Sequence, residues 1–300
     1  MEILNSNKNQ LLPLTIIIPV FNEEKAAAEV ISSIKTELSC KNIVYEIIAV
    51  NDGSTDKSRD VLSRIENIKL INHPYNKGYG AALKTGIKNA TYDLICIIDA
   101  DNTYPVTAIP EIYKFSAEYD MIVGARIGQN VDIPFQKKYA KVIITKLANY
   151  LVGSKIPDLN SGLRIFKKEA ALINLNILPS GFSFTTTITC AMMTSDYFVK
   201  FYNIDYFTRT GISKIRPFHF FEFVLLVTRL TVYFKPLKIF IPVSAIFFIS
   251  GLIRALFTIT RDNGKIHELS LILLIFGLMV FLIGLVADMF VKSRGIGMKQ

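Results

Sequence analysis

Cysteine is scarce in this chain of 300 residues: Cys40, Cys96 and Cys190 lie far apart, without the spacing of a metal site or a redox motif. Reduced thiols in a cytosol-facing domain are therefore expected. Tryptophan is missing altogether. The first ten residues have no apolar core, so no signal peptide is expected there. There is also no zinc finger and no RNP-type aromatic strand, which argues against nucleic acid as the partner of a net charge of +9. Anionic lipid and phosphorylated substrates remain. Apolar residues make up 51% of the chain and charged residues 20%, a balance that suits a globular domain joined to a membrane part.

What is present centres on residues 94–105. Leu94 to Ile98 is a continuous apolar run that reads as a strand buried on both faces, and it ends in Asp99-Ala100-Asp101. Residues two apart in extended backbone point the same way, so Asp99 and Asp101 can aim at one point beyond the strand's carboxyl end. Hard oxygen ligands of this kind suit Mg²⁺ or Mn²⁺ shared with a substrate diphosphate. The plainer alternative is an Asp-rich turn that caps the next helix.

The chain before this point alternates strand and helix. Strands are expected at Thr15–Val20, Tyr45–Val50 and Ile68–Ile71, and helices at Glu23–Leu38, from the Ser54/Thr55 cap to Ile65, and at Gly78–Ala90. Repeated β-α units with short loops predict a mostly parallel, Rossmann-like sheet whose loops converge at one edge. On that edge, Asp52 can accept hydrogen bonds from a base or ribose, or can simply be a turn residue. Lys77-Gly78-Tyr79-Gly80 opens a helix, where backbone amides and the helix dipole favour phosphate.

Taken together, Ile18-Pro19-Val20-Phe21-Asn22-Glu23-Glu24, Asn51-Asp52-Gly53-Ser54-Thr55-Asp56, Asn76-Lys77-Gly78-Tyr79-Gly80, Asp99-Ala100-Asp101 and Val123-Gly124-Ala125-Arg126 resemble glycosyltransferase family 2 over about residues 14–216. The resemblance implies a GT-A catalytic domain in which Pro19, Glu23 and Asp52 contact the nucleoside of a nucleotide-sugar donor. Asn22, Lys77, Gly80 and Ala100 join the donor site, and Asp99 and Asp101 hold the metal on the diphosphate. Many members have Asp where this chain has Asn51.

Phe135–Val152 reads as an amphipathic helix with Lys137, Lys138 and Lys141 beside its apolar stripe, a pattern that suits a bilayer surface. Beyond it, Asp158-Leu159-Asn160-Ser161-Gly162-Leu163-Arg164 and Gly211-Ile212-Ser213-Lys214 resemble motifs of the polyprenyl-phosphate glycosyltransferases, the group of dolichyl-phosphate mannose synthase and bacterial undecaprenyl-phosphate enzymes. In that group an Arg near the position of Lys146 helps hold the lipid phosphate, and lysine keeps the charge without the bidentate fork. A phosphate monoester is largely a dianion at neutral pH, its second pKa being about 6, so such an acceptor mainly needs cations. Arg126, Lys146, Arg164, Arg209 and Lys214 are the candidates, with Ser161 and Ser213 beside them. Asp158 is expected to orient them or to serve as a base.

The last third is apolar. Leu269–Ala287 has nineteen uncharged residues and Leu237–Ile259 is a second span, with the polar turn Arg261–Lys265 between them. A buried core hairpin is the alternative. The expected layout is a GT-A domain over 1–216, an interfacial helix within 217–236, and a membrane hairpin over 237–300 with spans at about 237–259 and 269–290. Flanking lysines and arginines favour both termini in the cytoplasm, at a plasma or inner membrane. A homo-oligomer through the membrane helices fits this layout.

The expected function is inverting transfer of a sugar from a UDP- or GDP-sugar to polyprenyl phosphate. A processive polysaccharide synthase is disfavoured, because the Gln-x-x-Arg-Trp motif of those enzymes needs a tryptophan. A transferase acting on a sugar or lipid hydroxyl, and a non-catalytic lipid-sugar sensor, are the alternatives.

Overall fold

The structure, a computed structural model, describes residues 12–127, 145–181, 183–195, 197–207, 219–261 and 265–297. It divides into two compact units, Met1–Phe223 and Val224–Gln300.

The first unit is a seven-stranded sheet. Its strands are β1 (Leu14–Val20), β2 (Tyr45–Asn51), β3 (Lys69–Asn72), β4 (Leu94–Ile97), β5 (Met121–Arg126), β6 (Arg164–Lys167) and β7 (Val199–Ile204). The spatial order is β3-β2-β1-β4-β6-β5-β7, so the apolar run that ends in Asp99 lies at the middle. All side chains of β1 and β4 are buried, as a strand covered on both faces requires. Alternation sorts them: Ile16 and Ile18 pack with α1 (Ala27–Cys40), α2 (Ser58–Ser63) and α4 (Ala108–Tyr113). Ile17 faces the other way, onto α3 (Tyr79–Asn89), α6 (Lys168–Ile173) and α7 (Phe184–Thr194). A further helix, α5, is described over 145–152.

β1, β2, β3 and β4 run parallel, as the β-α alternation predicts, and β5 pairs parallel with β7. One strand departs from that pattern. β6 lies antiparallel between β4 and β5, with Arg164 opposite both Ile97 and Val123. Four residues are too few for a periodic signal, so the motif around Arg164 was legible while its strand was not. This reversal positions the site. The amino end of β6 meets the carboxyl ends of β4 and β5, which delivers the Asp158–Leu163 loop to the edge that carries Asp99 and Arg126.

Other boundaries also move. The first helix begins at Ala27, because Glu23 carbonyl closes a turn onto the amides of Ala26 and Ala27. α2 begins at Ser58 without a side-chain cap, while Asp56 takes the Ser58 amide and Ser54 and Thr55 serve a neighbouring loop. Of the expected amphipathic helix over 135–152, residues 135–144 lie outside the described residues. In the remainder Leu151 is buried, Leu147 is half-buried and Tyr150 is exposed, so the single apolar stripe does not hold there.

α8 (His219–Phe234) leads into the second unit, where α9 (Leu237–Arg261) and α10 (Glu268–Gly297) form a hairpin. Both are long and apolar enough to cross a bilayer. Their contact seam repeats every seven residues: Ser244, Gly251 and Thr258 on α9, and Ser270, Gly277 and Gly284 on α10, are all buried. Large apolar side chains such as Ile253, Phe257, Ile275 and Leu282 point outward. A Cβ on Gly277 would stand 2.9 Å from the Phe248 amide nitrogen, and one on Gly284 2.5 Å from Phe240 Cβ. Gly277→Leu is therefore expected to weaken the hairpin by about 1–3 kcal/mol through overpacking. Unfolding by SDS in mixed micelles measures this, and unaltered resistance would remove the seam.

Candidate active site

The loops after β1 and β2 are stitched together at the carboxyl edge. The Asn22 amide donates to Ser54 Oγ at 3.0 Å, and Asn22 Oδ1 accepts the Thr55 amide at 2.8 Å. Glu23 N–H donates to Ser58 Oγ. Asn22 sits at φ 55°, the left-handed region that asparagine tolerates. Pro19 lies inside the sheet opposite Val50. Asn22 thus spends its carboxamide oxygen on the partner loop.

Asp52 is buried and turned onto its own chain. Its Oδ1 contacts His73 Nδ1 at 2.6 Å and accepts the Lys77 amide at 2.9 Å, and its Oδ2 accepts the Gly78 amide at 2.8 Å. His73 Nε2 reaches Thr85 Oγ1 at 2.9 Å. Both oxygens that were expected to meet a base or ribose are engaged in this network. The amides of Lys77 and Gly78 likewise serve Asp52 rather than a phosphate, and the Ala81 amide donates to Ser180 carbonyl. Gly78 stands at φ 101°, and a Cβ on Gly80 would come 2.2 Å from Pro179 carbonyl oxygen, so this turn requires glycine at both places. His73→Leu would leave the Asp52 carboxylate buried with one partner fewer. A loss of about 2 kcal/mol in stability is expected by thermal or urea unfolding, and an unchanged midpoint would contradict the role.

Asp99 and Asp101 are half-buried at the end of β4, with Ala100 buried between them. Asp99 Oδ1 accepts the Tyr79 hydroxyl at 2.8 Å, and Asp101 Oδ1 accepts the Thr103 hydroxyl at 2.6 Å. Burial and the Asp99 carboxylate push the Tyr79 phenol well above its ordinary pKa, so it stays a donor. A Cβ at Gly162 would lie 2.3 Å from Asp99 Oδ2, a space that only glycine leaves to the carboxylate. Among the described residues no group of three or more His, Cys, Asp or Glu side chains could hold a metal. Two hard carboxylates in such a cradle fit Mg²⁺ or Mn²⁺ whose other ligands are substrate phosphate and water.

The cations lie next door. Arg126, at the end of β5, makes a two-pronged pair with Asp158: Nε to Oδ2 at 2.7 Å and Nη2 to Oδ1 at 2.9 Å. The Asp158 side chain is 1% exposed and that of Arg126 19%. The guanidinium also lies 5.1 Å from the centre of the Tyr206 ring. Burial lowers its pKa, but Tyr104 and Asp158 more than offset this and leave it raised. Ser161 Oγ donates to Gly124 carbonyl, and the Gly162 amide donates to Tyr104 hydroxyl at 2.6 Å. Asp158, Ser161 and Gly162 therefore bridge Arg126 to Asp99.

Arg164, expected among the acceptor cations, is fully buried. Its guanidinium donates to the carbonyls of Thr185 and Ser161 and to Thr189 Oγ1, which ties β6 to α7. Burial lowers its pKa to about 10, which still leaves it charged at neutral pH. Lys146 is exposed on α5. Arg209, Ser213 and Lys214 lie outside the described residues. The described residues before them end beside the site, where the Phe207 amide donates to Thr103 carbonyl, two residues beyond Asp101. Sequence reasoning missed His73, Tyr104 and Tyr206. His73 alone had a signal, being a polar residue just past β3 on the edge that carries Asp52.

A parallel-dominated sheet with a carboxylate pair at the end of its central strand and one reversed strand beside it is the GT-A fold. The chain belongs to glycosyl transferase family 2, whose model matches residues 15–172, and residues 235–292 match the GtrB C-terminal hairpin. The low-salt glycan biosynthesis hexosyltransferase Agl6 of Haloferax volcanii is 27% identical over 224 residues, covering 72% of this chain. This chain spans 53%, about half, of the length of Agl6. An uncharacterized protein of Methanocaldococcus jannaschii is 31% identical over 184 residues, 57% of this chain and 73% of that protein. Among solved structures, glucosyl-3-phosphoglycerate synthase from Mycobacterium tuberculosis, in complex with Mn²⁺, UDP and phosphoglyceric acid, shares the fold. Its TM-score is 0.59 at 16% identity, over 73% of this chain and 78% of that one. S. aureus TarS has a TM-score of 0.53 at 18% identity, over 74% and 66%.

Proposed function

We propose that this protein is a membrane-anchored inverting glycosyltransferase that moves a sugar from a UDP- or GDP-sugar to polyprenyl phosphate. The observation that carries the reading is the course of residues 158–162: Asp158 clasps Arg126, and four residues on Gly162 lies bare against Asp99. A metal carboxylate at the end of β4 and an anion-binding cation at the end of β5 are thereby tied together by one loop, as a reaction between two phosphorylated substrates requires.

When bound, Mg²⁺ or Mn²⁺ would neutralise charge on the donor diphosphate. Asp99 and Asp101 would hold it. A phosphate oxygen of the acceptor attacks the anomeric carbon from the side opposite the diphosphate. The sugar–diphosphate C–O bond breaks, and its electron pair leaves with the nucleoside diphosphate. The acceptor dianion has no proton to lose, so no general base is required. Asp158 accordingly acts by orienting Arg126, whose exposed portion steadies the acceptor phosphate. Lys146, Arg209, Ser213 and Lys214 are assigned to the same acceptor phosphate by the motifs that carry them. Pro19, Asn22 and Glu23 with the turns at Asp52 and Lys77–Gly80 form the nucleoside end, with Asp52 acting through the turn it holds.

The GtrB-type hairpin supports a lipid-borne acceptor. α9 and α10 cross the bilayer with both chain ends cytoplasmic, so the acceptor's tail stays in the membrane. The M. tuberculosis fold neighbour with Mn²⁺ and UDP supports a metal-held nucleoside diphosphate donor.

The test is sugar transfer by the detergent-solubilised chain with a panel of UDP- and GDP-sugars, Mg²⁺ or Mn²⁺, and polyprenyl phosphate. Transfer that needs both metal and lipid phosphate is the expected result. Donor binding without any glycosylation of the lipid phosphate would move the acceptor to a hydroxyl, or the protein to a sensing role.

A further inference from the structure

Tyr79 opens α3, and the turn that carries it is held from both sides. Before it, the amides of Lys77 and Gly78 donate to Asp52, and after it the Ala81 amide donates to Ser180 carbonyl. The adjoining Gly80 packs so closely on Pro179 that a Cβ there would come 2.2 Å from its carbonyl oxygen. From this anchored turn the Tyr79 hydroxyl reaches Asp99 Oδ1 at 2.8 Å. The opposite oxygen of the same carboxylate lies over Gly162, where a Cβ would stand 2.3 Å away. Asp99 is therefore set from two directions by groups belonging to α3 and to the Asp158–Leu163 loop.

We propose that Tyr79 is a positioning residue for the divalent cation: its hydroxyl holds Asp99 turned so that Asp99 and Asp101 share one ion. The proposal rests on the metal reading above. It also assigns the Lys77–Gly80 turn a purpose other than cradling phosphate, since that turn joins Asp52 at the nucleoside end to Asp99 at the metal end. Hydrogen-bond partners of metal carboxylates set ligand orientation, and their loss commonly costs about 10–100-fold in metal affinity.

The experiment titrates Mn²⁺ into the detergent-solubilised full chain with UDP or GDP present and follows bound Mn²⁺ by electron paramagnetic resonance. Nucleotide binding in EDTA and thermal unfolding are measured on the same samples. Tyr79→Phe removes one oxygen atom. It is expected to weaken Mn²⁺ binding by roughly tenfold while nucleotide binding in EDTA and the melting temperature hold. Asp99→Asn is expected to remove the bound Mn²⁺. Tyr79→Phe that binds Mn²⁺ as tightly as the unaltered chain, with Asp99→Asn still deficient, overturns the proposal and leaves the metal site standing. An equal fall in nucleotide binding in EDTA also overturns it, because the damage would then be general. If the unaltered chain binds no more Mn²⁺ than Asp99→Asn, the metal reading fails and the Tyr79 proposal falls with it.

Discussion

Asp99→Asn or Asp101→Ala is expected to lower sugar transfer by about a thousandfold while the protein stays folded and membrane-bound. That factor corresponds to about 4 kcal/mol of lost charge stabilisation at the donor diphosphate. Both carboxylates are half-buried at a loop rim rather than in the core, so removing either charge has little bearing on the sheet beneath. Asparagine at position 99 keeps an oxygen for the Tyr79 hydroxyl, which separates loss of charge from loss of packing. The measurement is kcat/KM at several Mg²⁺ and Mn²⁺ concentrations, with melting temperature as the control. Full activity in either variant would remove the metal assignment.

Arg126→Ala is expected to cost about 3 kcal/mol of stability as well as acceptor turnover. The reason is the Asp158 carboxylate, 1% exposed, which would lose both arms of its guanidinium partner inside the sheet edge. Two amides, those of Arg126 and Asn160, still donate to it, so the loss falls at the low end for a broken buried pair. Replacing both partners by apolar residues, as in Arg126→Met with Asp158→Leu, removes the unpaired charge but leaves the amides of Arg126 and Asn160 without their acceptor, so it should recover part of the stability and none of the activity. Urea unfolding and acceptor-dependent transfer measured on the same samples separate the two effects. A double variant as unstable as Arg126→Ala would mean that the amides held by Asp158, and not the unpaired charge, account for the loss.

The alternating strands and helices, the central apolar run and the Asp99–Asp101 pair were all legible in the chain, because burial on two faces and a carboxyl-edge turn leave strong local patterns. The two long apolar helices were legible for the same reason: nineteen uncharged residues in a row in α10, and an apolar span charged only at Lys238 and Arg254 in α9, have few other solutions. Asp52 was recognised as important, but its partners were not. A carboxylate at a strand end has the same sequence whether it faces a ligand or its own loop, and here the nearest donors are His73 and two backbone amides. Arg164 shows the same limit. Its motif marked it as a cation of the site, while the pairing of β6 enclosed it against α7.

The first four strands, the edge on which chemistry is placed and the hairpin that follows were readable along the chain, since each depends on periodicity or length within one segment. Which charged groups stand exposed and which are spent on the fold was settled by packing between distant segments. That outcome depends on the direction of one four-residue strand: β6 runs against its neighbours, and so brings Asp158 to Arg126, Gly162 to Asp99, and Arg164 into the core.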